Sequence, residues 1–583
     1  MVKCHHCSVY LSTMSENSQW DDDVVNTVRK YALQNSLEYD GRGEAGSVLG
    51  RLLSERDDLR KFARELKEIV AREVDEVNDI ANREGLEHIR DLLETLAPDA
   101  LERRKHVKIE GLKELPGDHS KVVLRFAPNP NGPLSLGHSR GVVINAEYAR
   151  IYGGKVVLRF DDTDTKVKPP IPDAYHWITE EYEWIAGRPA DVIIRASDRM
   201  PTYLKYAKKM IRDGHGYVCR CESDKFRNFR SLKEECPCRN KGCDENLSEW
   251  EEMNNGEILE GGAVVRVKTD MSLPNPALRD WPALRIQHNP HPLVGDKYKV
   301  WPLLDFQSAI EDHEQGVTHI IRGKDLMDST RKQTLLYNHF GWEYPFALYW
   351  GRVKVHEFGG FSTTSMRDSI SSGIHEGWGD LRLPTIKALQ RRGFSPNSLK
   401  EFWIDLGLTQ KDISVPMKTL ESFNARIIDS GTERRSFVGE PIEISLVGEL
   451  PEYEINLPRH PEDSGVGDRC WKLGDRIAIQ SSDFESGKLR LKDFADITLS
   501  DSRGVIDSIE KSDGRKIIHW LPLDCARNAR LITPHGKEII EIEGLLEDVD
   551  LVIGNVYQLE RVGFARLESF QEDSTAILIW LHG

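Results

Sequence analysis

The sequence predicts a multidomain protein: a central α/β domain built on a parallel sheet, a helical domain before it and an all-β region after it. Three observations carry this reading. Apolar residues recur at helical spacing between about 21 and 110. A strand, a loop, a helix and a second strand then follow one another within about 40 residues. After about residue 434 the pattern becomes short β-type runs separated by Gly, Asp and Ser. With 583 residues the chain exceeds the size at which one hydrophobic core stops growing, so division into domains is expected.

Taken in order, residues 1–20 are expected to form a disordered tail, with Met14 as an alternative start. Cys4-His5-His6-Cys7 has the look of half a metal site with no second half nearby. Leu49, Leu52, Leu53, Leu59, Phe62, Ala63, Leu66 and Ile69 mark a helical domain over 21–115. KVVLRF at 121–126 reads as a strand, APNPNGPLSLG as a loop, 138–151 as a helix and 155–160 as the next strand. Such a βαβ unit implies parallel pairing and ligands at the strand C-terminal ends. This domain is placed at 116–345, with an insertion at about 219–292 where cysteines and prolines break the pattern. αβ character returns with GVTHIIR at 316–322 and a helix-like 329–340. A loop and helical connection is placed at 346–415. The region 416–583 is assigned to β-barrels or sandwiches, on runs at 442–447, 476–480, 516–520 and 576–580.

Hydrophobic residues make up 39% and charged residues 30%, with no apolar run near the roughly 18 residues of a membrane span. No export signal is visible near the start, so a cytoplasmic chain with reduced cysteines is expected. The net charge is −16, while basic residues cluster at 103–108, at Arg391 with Arg392 and at Arg434 with Arg435. On charge alone these clusters read as solvated faces. Four cysteines, Cys219, Cys221, Cys236 and Cys238, form two CxC pairs around a short loop. They suit a tetrahedral zinc site, with reduced free thiols as the alternative and Cys243 as a substitute ligand.

The chemistry-bearing motifs begin with the run Arg125-Phe126-Ala127-Pro128-Asn129-Pro130-Asn131-Gly132-Pro133-Leu134-Ser135-Leu136-Gly137-His138. Backbone N–H groups at a helix start and the His138 imidazole can face a triphosphate there, and Gly137 permits close approach. A lone histidine in that position is more often structural. The whole run, however, closely resembles the first signature of the glutamyl- and glutaminyl-tRNA synthetases, the class I group with the HIGH motif. Ser135 stands at the first histidine of that motif, which leaves His138 as the main phosphate contact. Arg159-Phe160-Asp161-Asp162-Thr163-Asp164 matches the next family block, whose first aspartate holds the α-ammonium of the amino acid. Arg125 and Asp161, each at the end of a strand, would then clamp an amino acid between a guanidinium and a carboxylate. Without the first signature, the aspartates would read as a helix cap.

The third block, Asp305-Phe306 through Gly316-Val317-Thr318-His319-Ile320-Ile321-Arg322-Gly323-Lys324-Asp325, separates the two amino acids of the family. Glutamyl enzymes carry an arginine at Arg322, and glutaminyl enzymes a small neutral residue. Leu304 replaces a substrate-binding tyrosine of many relatives. In the fourth block, Gly360 to Arg367, the resemblance implies a KMSKS-like loop on the ATP phosphates, with Ser365 at the place of its lysine and Arg367 as the nearest cation. GWGDLRLPT at 377–385 fixes the register.

The resemblance extends into the C-terminal third, where Asn424 to Asp429, IIHW at 517–520 and YQLERVG at 557–563 are similar to the β-barrel anticodon domain of archaeal and eukaryotic members. It implies a Rossmann-type catalytic domain with an inserted acceptor-end domain. It further implies a monomeric glutamate-tRNA ligase of the archaeal and eukaryotic type, using ATP with Mg²⁺ and serving tRNA(Glu), with tRNA(Gln) left open. Adenylate formation in this group depends on bound tRNA. Arg125, Asp161 and Arg322 are assigned to glutamate. Pro128, Gly137, His138, Ser362, Thr363, Thr364, Ser365 and Arg367 are assigned to ATP, with His138 and Arg367 catalytic. Two alternatives stay open: a glutaminyl enzyme, and a weakened tRNA-binding paralogue suggested by Ser135, Leu304 and Ser365.

Overall fold

Residues 20–39, 41–97, 111–358, 362–448, 454–512 and 514–583 are described by a computed structural model. The tail before Trp20, with Met14 and the Cys4 to Cys7 segment, lies outside these residues. So do the basic cluster at 103–108 and Gly360 with Phe361. The chain divides into two units, Met1–Ile109 and Glu110–Gly583.

In the first unit the helical spacing becomes four helices: α1 (Asp22–Glu38), α2 (Ala45–Glu55), α3 (Ala63–Glu84) and α4 (Leu86–Leu96). α3 buries Leu66, Ile69, Val70, Val74, Val77 and Ile80 along one stripe, against Val28, Leu52, Ile89 and Leu93 of the other three. Its one buried charge, Glu73, is met by Arg29 at 2.9 Å.

The second unit opens with β1 (Val123–Phe126), α5 (Leu136–Tyr152), β2 (Lys155–Phe160), α6 (Pro172–Ala186) and β3 (Val192–Arg195). The three strands pair in parallel, Leu124 opposite Val156 and Val157 opposite Val192. At the return into β2 a Cβ on Gly154 would lie 2.5 Å from the Val122 carbonyl oxygen, so only glycine fits that corner. The chain then leaves the sheet through α7 (Met200–Arg212), β4 (Gly216–Cys219), α8 (Ser223–Leu232), α9 (Cys243–Asn255), β5 (Val264–Val267), β6 (Pro282–Ile286) and β7 (Val300–Pro302). β4 to β7 form one antiparallel sheet in sequence order. The inserted sheet therefore runs over 216–302, wider than the 219–292 expected from composition. Its outer strands GYVC and VWP are short and apolar, and nothing in their composition sets them off from the host domain.

The chain returns along α10 (Leu304–Glu314) to β8 (His319–Gly323), α11 (Met327–Phe340) and β9 (Phe346–Trp350), with β8 and β9 parallel. Just before β8, Thr318 binds β1 twice: its N–H donates to the Val123 carbonyl at 2.9 Å, and its Oγ1 accepts from the Val123 N–H at 2.9 Å. In space the order is thus β3-β2-β1-β8-β9, two parallel ladders, β1 to β3 and β8 with β9, that meet at Thr318, and the winding of the chain reverses between β1 and β8. Such a switch point opens a crevice at the strand C-terminal ends.

Beyond it lie β10 (Val353–Val355), α12 (Thr363–Ser371), α13 (Ile386–Arg392), α14 (Pro396–Leu406), β11 (Ile413–Val415) and α15 (Met417–Ile428). Arg140 of α5 ties this region to the sheet. Its guanidinium donates to the carbonyls of Gly351 (3.0 Å) and Gly407 (2.7 Å), and it lies near the rings of Trp350 and Trp403.

The C-terminal part is two seven-stranded, barrel-like sheets, the first nested in the chain of the second. Strands at 434–439 belong to the second sheet, strands between Pro441 and Pro522 to the first, apart from a separate two-stranded ladder of Glu454–Pro458 with Asp468–Lys472, and those from Ala526 to His582 to the second again. The longest hairpin pairs Ala526–His535 with Glu538–Glu547. At its tip the Lys537 carbonyl accepts from Arg382 at 3.2 Å, and Arg382 is otherwise held by Asp380 and the Ile374 carbonyl. Two basic pairs read as solvated faces prove to be cross-links. Arg391 pairs with Glu568, and the buried Arg392 with Glu421 and the Leu581 carbonyl. Arg434 pairs with Asp429, and the buried Arg435 with Glu433.

Removing the Arg140 pin strands two buried carbonyl groups as well as the cation–π contacts. Arg140→Ala is expected to cost about 3 kcal/mol, the scale of two charge-assisted hydrogen bonds, in urea unfolding followed by tryptophan fluorescence.

Candidate functional site

At the C-terminal ends of β1, β2 and β8 the switch point opens into a cleft of about 920 Å³. Its lining joins Arg125, Pro128, Gly137, His138, Asp161, Arg322 and Ser362 to Thr364. These come from all four motif blocks, up to 239 residues apart in sequence between Arg125 and Thr364. A volume of this order suits a nucleotide together with a small second substrate.

One wall is the start of α5. Ser135 is its N-cap: Oγ accepts from the His138 N–H at 3.3 Å, while His138 Nδ1 accepts from the Ser135 N–H at 3.1 Å. This reciprocal pair is a capping box with histidine in the third position. Because a backbone N–H can only donate, Nδ1 is the acceptor and the proton of the neutral ring is on Nε2. Burial, followed by the charge of Lys168, pushes the His138 pKa down to about 4, so the neutral ring is the form present at physiological pH. Ser135 thus orients the histidine instead of serving as a second one.

The loop before α5 is held from behind by a residue that carries no motif. Glu181 of α6 accepts from the Leu134 N–H at 2.6 Å through Oε2, while its buried Oε1 has no hydrogen-bond partner among the described residues. Burial pushes its pKa up to about 8, against the Leu134 N–H and the charge of Lys387. Opposite α5, α12 starts at Ser362, whose Oγ caps it by accepting from the Ser365 N–H at 3.3 Å. Ser362, Thr363 and Thr364 line the cleft. Ser365 is exposed, and neither it nor Arg367 is in the lining.

The other end of the cleft is a knot of charge. Arg159 donates to Asp161 Oδ1 (2.7 Å), Asp312 Oδ1 (2.7 Å) and Ser308 Oγ (2.9 Å). The two aspartates hold it charged in spite of its burial. Gln307 also donates to Asp161 Oδ1, at 2.6 Å, which leaves Oδ2 without a protein donor among the described residues. Arg125 reaches only the already shared Asp312 oxygen, at 3.4 Å. Burial lowers its pKa; Asp312 opposes that, and repulsion from Arg159 and Arg322 adds to it. Arg322 is buried with neutral acceptors alone: Gln333 Oε1 (3.0 Å), Tyr344 Oη (2.9 Å) and Thr330 Oγ1. Its Nε is buried without a hydrogen bond. Among the described residues of this knot, three guanidinium groups therefore face two carboxylates, and one positive charge has no ion-pair partner.

Asp162, next to Asp161, is part of the scaffold. It is fully buried and accepts from Ser197 N–H and Oγ (both 2.7 Å) and from Tyr175 Oη (2.7 Å). Leu304 lines the cleft and is exposed, and Tyr344 and Tyr349 instead bring phenols to the Arg322 end, Tyr349 through Thr330. Sequence reading missed Glu181, Arg159 as a buried link, Gln307, Asp312, Gln333 and Tyr344. For Glu181, Gln307, Asp312 and Gln333 the available signal was a polar residue inside the apolar face of α6, α10 or α11; Arg159 on β2 and Tyr344 before β9 carried none.

In the insertion, the sulfurs of Cys219, Cys221, Cys236 and Cys238 all lie within 4.8 Å of one another, with Cys219–Cys236 at 3.9 Å and Cys221–Cys238 at 3.7 Å. A tetrahedron with zinc–sulfur bonds of about 2.3 Å has edges of about 3.8 Å, so the cluster fits that ion. Cys243 lies outside it, against the Arg212 carbonyl.

The doubly wound sheet, its switch-point cleft and the capped helix facing that cleft define a nucleotide-binding α/β protein. The chain belongs to the class I tRNA synthetases of the E and Q group: the family's catalytic domain matches residues 121–430 and its anti-codon binding domain residues 432–512. Similar chains include the glutamate–tRNA ligase of Archaeoglobus fulgidus, 42% identical over 95% of this chain and 99% of that one. That of Methanothrix thermoacetophila is 40% identical over the same shares. That of Pyrococcus abyssi is 40% identical over 96% of this chain and all of its own.

Glu181 provides a test of how the loop is held. With its pKa raised above the unfolded value of about 4.5, the folded state binds the extra proton between pH 4.5 and 8, so this group's contribution to stability is lost as pH rises through that window. Glu181→Gln keeps an acceptor and removes the titration. Relative to the parent, the variant should gain roughly 2–4 kcal/mol between pH 5 and pH 8.5 in urea unfolding.

Proposed function

We propose that this chain is a glutamate–tRNA ligase that activates L-glutamate with ATP and transfers it to the 3′ end of tRNA(Glu). The carrying observation is Arg322, a buried guanidinium with no carboxylate partner among the described residues. Glutamate brings two carboxylates and one ammonium, and its net negative charge balances the excess positive charge of the knot. The side-chain carboxylate goes to Arg322, the α-carboxylate to Arg125 and the α-ammonium to the open Oδ2 of Asp161. Glutamine would leave the Arg322 charge unpaired in a buried site, which is costly.

ATP lies along the start of α5, with His138 Nε2–H donating to a phosphate oxygen and the capped start of α12 closing over it. A glutamate α-carboxylate oxygen attacks the α-phosphorus. The bond from that phosphorus to the bridging oxygen breaks, and its electron pair leaves on pyrophosphate. The terminal ribose hydroxyl of tRNA then attacks the acyl carbon and releases AMP. The protein contributes placement and fixed charge. Mg²⁺ enters with ATP, as the family implies, and Arg367, one turn behind Thr363, is the nearest cation of the fourth block.

The barrel-like region takes the anticodon, and bound tRNA is required for activation. The chain is read as a cytoplasmic monomer; no helix of the described residues is long and apolar enough to cross a membrane. Zinc is placed at Cys219, Cys221, Cys236 and Cys238, where four thiolates would give the insertion a structural cross-link.

ATP–pyrophosphate exchange with glutamate in the presence of tRNA tests the main reading; exchange with glutamine in its place, or none with either amino acid, refutes it. Arg322→Ala is expected to lower kcat/KM for glutamate by about 10³-fold or more, with KM for ATP within about twofold. Separate aminoacylation of purified tRNA(Glu) and tRNA(Gln) reads acceptor range. Metal analysis should find about one zinc per chain, falling in Cys238→Ser, and chelation should lower the thermal midpoint of the parent protein.

A further inference from the structure

The fourth motif block leaves a chemical gap. A loop that faces ATP phosphates ordinarily brings an ammonium group, yet this chain has Ser365 at that place, exposed and outside the cleft lining. Negative charge builds on the leaving pyrophosphate during activation, and a nearby cation is worth most there.

The cations that do line the cleft are largely committed. Arg125 and Arg322 belong to the amino-acid end. Lys332 is paired with Asp305 at 2.7 Å and Arg285 with Asp164 at 3.0 Å. Lys168 remains. It lines the cleft and has no ion-pair partner among the described residues. Its neighbour two residues back, Lys166, is drawn away to Glu260 at 2.7 Å.

The backbone between them is anchored at both ends. Asp164 Oδ1 accepts from the N–H groups of Lys166 and Val167 (3.0 Å each), and Thr165 Oγ1 donates to the Asn289 carbonyl at 3.1 Å. Past Pro169 and Pro170, the Ile171 N–H donates to the Pro130 carbonyl at 2.8 Å. That second anchor ties the segment to the loop that leads into α5. The chain bends through residues 165–168, and the two lysines part there: Lys166 reaches Glu260 of the insertion, and Lys168 lines the cleft. Lys168 is close enough to His138 for its charge to act on the ring.

Resting on the reading of the chain as a glutamate–tRNA ligase, we propose that Lys168 is a catalytic residue that supplies the cation absent from the fourth block. Its ammonium binds the β- and γ-phosphates of ATP beside His138 and takes up charge on the departing pyrophosphate. A lysine suits this role because its ammonium is a point charge on a flexible stem that can follow the phosphate as the bond breaks.

The test compares Lys168→Ala, Lys168→Arg and Lys166→Ala in the full-length enzyme. ATP–pyrophosphate exchange is measured with glutamate and tRNA, and Mg-ATP binding is measured alone by calorimetry. Lys168→Ala is expected to lose about 100-fold in kcat and to weaken ATP binding about tenfold, while KM for glutamate holds. Lys168→Arg should recover most of the loss, and Lys166→Ala should match the parent. Lys168→Ala exchange and ATP binding both within twofold of the parent overturn the proposal, as does an equal loss in Lys166→Ala. The binding arm separates the two claims. Weakened ATP binding in Lys168→Ala, with a parent protein inert toward glutamate, supports the lysine assignment and refutes the ligase reading. A parent active with glutamate and indifferent to Lys168 does the reverse.

Discussion

The two hydrogen bonds between Thr318 and Val123 decide where everything else can sit. They seat β8 beside β1 after an excursion of nearly two hundred residues, and they make β1 the strand from which the chain departs in both directions. Helices on either side must then diverge, and the gap between them cannot be filled by the protein's own backbone. Arg125 at the end of β1, Asp161 just past the end of β2 and Arg322 near the end of β8 reach that gap because each lies at the C-terminal edge of a neighbouring strand.

The two ends of the cleft use opposite electrostatic strategies. At the Arg322 end, charge is concentrated and left unbalanced: Arg125, Arg159 and Arg322 stand against Asp161 and Asp312, and repulsion among guanidinium groups is held in place by burial and by β-strand rigidity. At the end beside α5, two groups that could carry charge are neutral. His138 is kept uncharged, and Glu181, directly behind the loop, retains its proton to about pH 8. A charged Glu181 behind the start of α5 would oppose any anion bound there. Its burial removes that opposition and keeps an acceptor for Leu134.

Much of this was legible in the sequence. The four blocks could be ordered and their site residues named because each occupies consecutive or near-consecutive positions. Arg125, His138, Asp161, Arg322 and the Ser362 to Thr364 stretch do meet in one cleft, and the four clustered cysteines do converge. Less visible were contacts made by single residues on helices. Glu181, Gln307, Asp312 and Gln333 each sit on a helix, and their partners lie on other elements, from 11 residues away for Gln333 and Arg322 to 153 for Asp312 and Arg159. Arg392 and Arg435 misled for the same reason: paired arginines look like a surface stripe until Glu421 and Glu433 are found beside them. The edges of the insertion were missed because GYVC and VWP are sheet strands by position and carry no mark of it in composition.

The hairpin between Ala526 and Glu547 has ten-residue arms, about 33 Å at the usual rise of a strand. It is a beam fixed at its root in the second barrel-like sheet and touching, at its free end, the arginine that braces the segment between α12 and α13. A tilt of about 3° at the root displaces such a tip by roughly 1.7 Å, more than the Lys537–Arg382 hydrogen bond can stretch. Small angular changes in the barrel are therefore magnified by length alone and delivered as a pull on Arg382, three residues before Thr385, which bridges Ser135 at the start of α5.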